Sequence, residues 1–469
     1  MNPDLWLLAL ATLAVLAREL LWITGIGILL SSIDDLAMDA AWALLVLPRR
    51  AEPLPPAPAT PGVFAIMVPA WDEADVIAPM LRTLVATMEH PGFELFVGVY
   101  PNDPATRAAV ESVDDPRIHL VITSRPGPTS KADCLNHIWH GVTAHEAETG
   151  RRFTGVVLHD AEDVVHPREL DLFERYLPRL ALVQIPVLPF PDRRSPLVSG
   201  HYIDEFAEAH SRDMMVRARL GAAVPSAGVG TAFCREALAR IAGAANAPFN
   251  AAALTEDYEI AHRLHALGLR GRMVRHRVDG RLVATREYFP ATVEAAVRQK
   301  SRWLTGIALS GWDQLGWSGP LAQRWLLLRD RKGLVTSAIA VLAYATAVLV
   351  LAEMALRGLI SHVGGASLPP LLSAADQPVL VAILVTNTFL LLWRVLLRAG
   401  FTARDHGMSQ ALLALPRAVV GNLVNALAAL RAMGRYRDMM KSGSQPAWDK
   451  TAHRFPAEAV APVAGPTHG

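Results

Sequence analysis

Three apolar runs, unevenly placed, limit what this chain can fold into. They are residues 5–30 (LWLLALATLAVLARELLWITGIGILL), 333–356 (GLVTSAIAVLAYATAVLVLAEMAL) and 377–398 (QPVLVAILVTNTFLLLWRVLLR). A helix that crosses a bilayer needs about 20 such residues, because lipid offers the backbone no hydrogen-bond partner. Arg18 and Glu19 interrupt the first run and must pair or face protein. A secretory leader is the competing reading of that run. Its head, MNPD, carries no basic residue and no small-residue cleavage pattern follows, so a retained anchor is expected. A fourth stretch, 409–430, contains Pro416, Arg417, Asn422 and Asn425 and reads as an interfacial or re-entrant helix. Hydrophobic residues at 52% against 19% charged agree with a membrane protein.

Basic flanks set the orientation. Arg49 and Arg50 follow the first run, Arg329, Arg331 and Lys332 precede the second, and Arg394 and Arg398 close the third. Three crossings then put residues 48–332 in the cytoplasm, the N-terminus outside and the tail inside. The expected organisation is a membrane helix with its proximal segment (1–50), a proline-rich linker (51–62), a cytoplasmic domain (63–318), C-terminal membrane helices (319–440) and a cytoplasmic tail (441–469) with disorder-like composition. Lys and Arg total 45 against 44 for Asp and Glu, so no nucleic-acid partner is expected. Two cysteines, Cys134 and Cys234, make no disulfide framework and suit a reducing compartment.

The middle has α/β texture. Apolar runs at 63–70, 93–100, 118–123, 153–160 and 181–189 alternate with helical stretches such as 74–88 and 201–219, which predicts a mostly parallel sheet. Ligands of such sheets collect at the carboxyl ends of strands. Those ends carry Asp72 and Glu73, Asp103, and the cluster His159, Asp160, Glu162, Asp163, with His166 beyond. No GxGxxG or Walker loop is present, which disfavours a dehydrogenase and a P-loop enzyme. Carboxylates two apart at a strand end can share Mg2+ or Mn2+ and leave positions for phosphate oxygens; a polar turn of solvated acids is the bland alternative. His159 and His166 read as supports rather than ligands, since Mg2+ does not favour imidazole. LTEDY (254–258) puts Glu256 and Asp257 at a helix start, with Thr255 as its cap. QKSRW (299–303) offers an amide, a guanidinium and an indole, groups that grip phosphate and lie against sugar. The glycine-rich VPSAGVGTAFC (224–234) reads either as an ordinary loop or as backbone close to a sugar.

VPAWDEADVI, SKADCLN, HDAED, TED and QKSRW, in this order and followed by apolar helices, resemble the processive, cellulose-synthase-like family 2 glycosyltransferases. YPNDP, YIDEF, VPSAGVGT, LTEDY, REYFP and AWDKT are similar to the phage-adsorption protein B (NfrB) family, over about residues 60 to 455. The resemblance implies a GT-A-type fold, a Rossmann-like mixed sheet with flanking transmembrane and interfacial helices, in the bacterial inner membrane. It implies transfer from a UDP-sugar donor to a polysaccharide acceptor in exopolysaccharide synthesis, with Mg2+ or Mn2+ and an outer-membrane export partner. Pro69, Ala70, Glu73 and Asp103 would border the nucleoside, although Pro-Asn-Asp-Pro around Asp103 departs from the usual Asp-Asp-Gly. Lys131, Asp160 and Arg302 would meet the donor, and Asp160, Glu162 and Asp163 the metal, with Glu162 in place of the usual second Asp. Asp257 would be the general base, and Glu256, Gln299, Trp303 and Gly230 would face the acceptor. Longer members of that family carry a further C-terminal domain; ending at Gly469, this chain is expected to lack it and the cyclic-dinucleotide regulation attached to it. Two rival readings are a metal-dependent phosphohydrolase and a non-catalytic membrane receptor or assembly scaffold that retains a nucleotide-binding shell.

Overall fold

The computed structural model describes residues 3–49, 53–364, 368, 370–373, 376–443 and 453–456. Arg50, the AWDKT match and most of the tail lie outside the described residues.

Seven strands form one mixed sheet: β1 (Phe64–Pro69), β2 (Phe93–Val99), β3 (Ile118–Ile122), β4 (Gly155–Leu158), β5 (Leu182–Gln184), β6 (Thr231–Cys234) and β7 (Gly271–Met273), in the order β3-β2-β1-β4-β6-β5-β7. β1 pairs parallel with β2 and β4, β2 with β3, and β5 with β7. β6 alone runs against both neighbours. Every residue of β1 and β4 is buried. Apolar runs without alternation are what a sheet covered on both faces requires. The helix Lys131–Thr149 packs across β1 and β2, started by Ser130 accepting from the Asp133 N–H at 3.2 Å and ended by Gly150 at φ 69°.

Two features differ from the expected strand pattern. The run 181–189 is a strand only to Gln184, because Pro186 has no N–H to donate; Val187 then makes one isolated bridge to Thr285. The Gly-rich stretch contains β6, the one reversed strand, and β7 joins the far edge parallel to β5; four of the six strand pairings are parallel, so the sheet is mostly parallel as expected, with one antiparallel strand set into it.

Three helices are long and apolar enough to cross a membrane among the described residues: Leu5–Arg49, Gly333–Val363 and Pro378–His406. Arg18 and Glu19 pair with each other at 3.2 Å. The first helix continues 15 residues past its apolar run, to Leu45, and this extension is bound to elements outside the three apolar helices and to their ends. Asp34 accepts from Lys332 (2.6 Å) and Trp325 Nε1 (2.7 Å), and Asp35 from Lys332 (3.0 Å) and Arg329 (3.1 Å). Asp39 accepts from Arg212 at 2.5 Å and from Trp393 Nε1 at 2.9 Å. Glu208 takes Arg394 (2.7 Å) and Arg398 (2.8 Å) of the third apolar helix. Charges at both junctions therefore join the helices to the sheet domain. The helix Ala414–Ser442 buries Arg417, Gly421, Val424, Ala428 and Ala432, whereas Leu415, Val419, Leu423, Leu427 and Leu430 are exposed. Its polar residues serve protein contacts: Arg417 donates to the Pro196 carbonyl at 2.8 Å, and Asn425 accepts from Lys300 at 2.9 Å.

Candidate active site

The carboxyl ends of β1 and β4 open into one cleft. Pro69 ends β1 and Glu73 follows it, Asp160 and Glu162 follow β4, and Lys131 opens the helix under them. Glu256 and Asp257 enter from the first turn of the helix Glu256–Ala266, and Gln299, Arg302 and Trp303 from the helix Val293–Leu304. Thr255 occupies the cap position, but its side chain makes no capping bond.

Past β4 the acids divide. Lys131 Nζ binds Asp160 Oδ1 at 2.5 Å, and Glu162 lines the cleft while 3% exposed. Asp163 corrects the expected metal set: it faces away from the cleft. Its Oδ2 accepts from the Asp160 N–H at 3.0 Å and from His159 Nδ1 at 2.8 Å, and His159 Nε2 meets Glu169 Oε1 at 2.7 Å. All three side chains are fully buried. Burial opposes the charge on His159, but Glu169 and Asp163 hold it protonated, pushed up to about 10. This buried triad fastens the turn that presents Asp160 and Glu162. His166 bonds only locally, accepting from the Arg168 N–H at 3.1 Å.

The opposite wall is built by β5 and the turn before β6. Gln184 accepts from the Ala227 N–H (2.8 Å) and donates to the carbonyls of Val229 (2.9 Å) and Gly230 (3.1 Å). That clamp holds Gly228 at φ 80°, where a Cβ would stand 2.9 Å from Asp257 Oδ2; the missing side chain is the room Asp257 occupies. Burial, then Asp257 beside it, pushes Glu256 up to about 7. Burial also raises Asp257 above the ordinary carboxylate range, against the pull of Lys131. Burial opposes the Lys131 charge, yet Asp160, Glu256 and Asp257 raise its affinity for a proton overall. Trp303 lies edge-on to Tyr202 (6.0 Å), and Gln299 keeps a buried Oε1 without a partner.

Besides Asp163, three sequence-predicted residues are not brought to the cleft wall. Asp103 caps the helix Pro104–Glu111, accepting from the Thr106 N–H (3.2 Å) and the Asp72 N–H (2.6 Å), so both its oxygens are engaged. Ala70 is fully buried and ties β1 to the Gly98 carbonyl at 2.8 Å. Gly230, at φ 56°, is needed for the close approach of Thr285, whose Oγ1 would lie 2.4 Å from a Cβ, rather than for a sugar. Two lining residues escaped the sequence reading. Glu287 lies within the matched REYFP, and burial among Asp163, Glu162 and Asp160 raises it well above the usual range. His453 arrives from the C-terminal segment. Titratable residues in irregular segments carry no periodic signal, so neither stood out.

The donor set suits a hard divalent cation. Glu162 offers a buried Oε2 with no hydrogen-bond partner, and burial followed by the opposing pull of His453 leaves its carboxyl at about 8. An orphaned buried carboxylate oxygen beside Asp160 is the kind of atom a Mg2+ or Mn2+ ion would satisfy.

Residues 61–306 match the profile described as glycosyltransferase like family 2. The chain is 35% identical over 490 aligned residues to bacteriophage adsorption protein B of Escherichia coli (strain K12), with the same figures for bacteriophage N4 adsorption protein B of Escherichia coli O157:H7. The alignments cover 96% of this chain and 63% of each relative. Among solved structures, the mannosyltransferase PcManGT from Pyrobaculum calidifontis, in complex with GDP-Man and Mn2+, superposes with a TM-score of 0.49 at 18% identity, covering 87% of this chain and 99% of that one.

Proposed function

Because the chain belongs to the glycosyltransferase like family 2, with a GT-A-type sheet and three helices able to span a bilayer, we propose that it is a membrane-bound inverting glycosyltransferase that moves a sugar from a UDP-sugar to a growing polysaccharide. One observation carries the reading. A carboxylate fit for a base, Asp257, shares a cleft with the Lys131–Asp160 pair and with Glu162, which suit a diphosphate and its cation. The acceptor hydroxyl attacks the anomeric carbon while Asp257 takes its proton. The bond to the diphosphate breaks on the opposite face, which inverts the centre in one displacement. Lys131 and Arg302 draw the charge that develops on the departing phosphate oxygens. Asp160 and Glu162 would hold the divalent ion, whose contribution is Lewis-acid neutralisation of that charge. Trp303 and Gln299 present a flat apolar face and an amide to the acceptor sugar. Basic residues at the cytoplasmic ends of the apolar helices support an inner-membrane, multi-pass placement with the cleft in the cytoplasm.

The test is release of nucleoside diphosphate from a panel of UDP- and GDP-sugars with Mn2+. A UDP-sugar that turns over supports the reading, turnover of GDP-sugars alone corrects the donor, and no turnover refutes it. Asp257→Asn should lower kcat at least about 10³-fold, within the range general-base loss produces, with UDP affinity within threefold. Loss of UDP binding would make Asp257 structural. The relatives' name supports a second reading, a phage-adsorption component that acts without transfer; that reading requires Asp257→Asn to leave adsorption unchanged.

A further inference from the structure

A second recess, sharing no lining residue with the cleft, opens where the first and third apolar helices meet the sheet domain. Guanidiniums from four segments line it: Arg49 at the end of the first helix, Arg219 at the end of the helix Met214–Arg219, Arg272 of β7 with Arg275 just beyond, and Arg404 near the end of the third apolar helix. His276 joins them, and the described lining holds no acid. Asp405 meets two of these arginines, accepting from Arg275 Nη2 at 2.7 Å and from Arg404 Nε at 2.9 Å. Arg49 donates to the Leu45 carbonyl at 3.1 Å. Arg275 keeps a buried Nη1 without a hydrogen-bond partner. Burial draws Arg275 down to about 10, against the pull of Asp405. Trp42 meets Phe401 edge-on at 5.2 Å, which stitches the two helices together beside the recess.

We propose that this recess binds the phosphate of an anionic phospholipid, taken from the leaflet that faces the sheet domain. The proposal goes beyond the glycosyltransferase reading and stands without it. Basic residues that only fix orientation need sit no further than the flanks of the crossing helices. Arg219, Arg272 and Arg275 come instead from the sheet domain, so their convergence with Arg49 and Arg404 gathers like charges at an electrostatic cost. A phosphate offsets that cost, because guanidinium forks match its oxygens two at a time. The buried Nη1 of Arg275 is a donor that such an oxygen would satisfy. Apolar residues close in sequence to these charges point to lipid rather than to a soluble phosphate. Leu44, Leu396 and Met408 are 73%, 69% and 66% exposed, which suits a bilayer surface and not water. β7 is the last strand in the sheet order, so a headgroup held by Arg272 would fasten the open edge of the sheet to the membrane.

The test takes the full chain in a neutral detergent without divalent ions or nucleotide, so its outcome does not depend on turnover. Calorimetric titrations compare short-chain phosphatidylglycerol, short-chain phosphatidylcholine and inorganic pyrophosphate. Phosphatidylglycerol should bind at least about tenfold tighter than phosphatidylcholine, and salt should weaken it. Arg275→Gln and Arg49→Gln should each weaken it about fivefold, the worth of one basic residue at an anionic surface. Arg49 is exposed and bonds a backbone carbonyl of its own helix, so Arg49→Gln keeps the fold where Arg275→Gln, by stripping Asp405 of a partner, could unsettle it. Arg240→Gln, at an exposed arginine of the helix Arg235–Ala242 outside the recess, should leave binding unchanged. Equal affinity for the two lipids, or both recess variants within about twofold of the unaltered protein, overturns the proposal. Pyrophosphate bound as tightly as phosphatidylglycerol, and lost in the same variants, overturns the lipid source and leaves a site for soluble phosphate.

Discussion

Replacing His159 with leucine separates the structural half of the acidic turn from its chemical half. The imidazolium stands between Asp163 Oδ2 at 2.8 Å and Glu169 Oε1 at 2.7 Å, with no solvent at any of the three side chains. Asp163 Oδ1 and Glu169 Oε2 already lack partners, so nothing nearby takes over the charge. Removing one member of a buried ionic set costs about 3–5 kcal/mol. The escape route, protonating an ordinary carboxyl at pH 7, costs about 4 kcal/mol, so it gives no cheaper exit. For a unit of this size about 2–4 °C is lost per kcal/mol, which puts the fall in melting temperature near 10 °C. Asp163 also holds the Asp160 N–H, so UDP affinity should fall together with stability. Tryptophan fluorescence on heating, with calorimetry of UDP and Mn2+ binding, measures both. The triple variant His159→Leu, Asp163→Asn, Glu169→Leu removes all three charges, keeps an amide oxygen for the Asp160 N–H, and should recover more than half of the lost stability. A single variant that melts within 2 °C of the parent, or a triple variant no better than the single, refutes this account.

Lys131→Met should weaken UDP binding about 10–100-fold, the worth of one charge-assisted contact to phosphate, while the melting temperature moves little; unchanged calorimetric affinity would remove Lys131 from the donor site. His210 and His262 are held neutral by burial, each lowered to about 3, with His210 Nδ1 accepting from the Val187 N–H at 3.0 Å. The unfolded chain therefore binds more protons below pH 6.5, so stability is full above about pH 7 and drains as pH falls. At pH 5 each histidine should cost about 2 kcal/mol, checked by denaturant melts at pH 7.5 and 5. Asp34→Asn with Asp35→Asn removes the acceptors of Arg329 and Lys332, and should lower the melting temperature by several degrees and speed limited proteolysis around residues 316–332.

Much of the fold was legible because its signals are local. β1 and β4 are unbroken apolar runs, and their exits carry the acids that reach the cleft. In the turn after β4 the acids mark the site, but a turn has no fixed alternation: Asp163 is drawn from the cleft by its buried bonds to His159 and the Asp160 N–H, which the expected three-acid metal set could not show. β6 and β7 were not legible, since three- and four-residue strands are defined by partners far along the chain. The same holds for His453, whose neighbours Glu73 and Glu162 lie hundreds of positions away. Asp103 misled for a local reason: an acid before Pro104 reads equally as a ligand or as the helix cap it is.

The reversed strand β6 has a practical consequence. The donor wall hangs from segments that leave the sheet, whereas the Gly228 turn facing Asp257 hangs from a segment about to enter it. The two walls are thus separate grafts on one scaffold. An insertion upstream of residue 227 could reshape the pocket's second half while every phosphate-side group keeps its coordinates, giving lineages and engineers a way to exchange what is glycosylated without rebuilding how the sugar is activated.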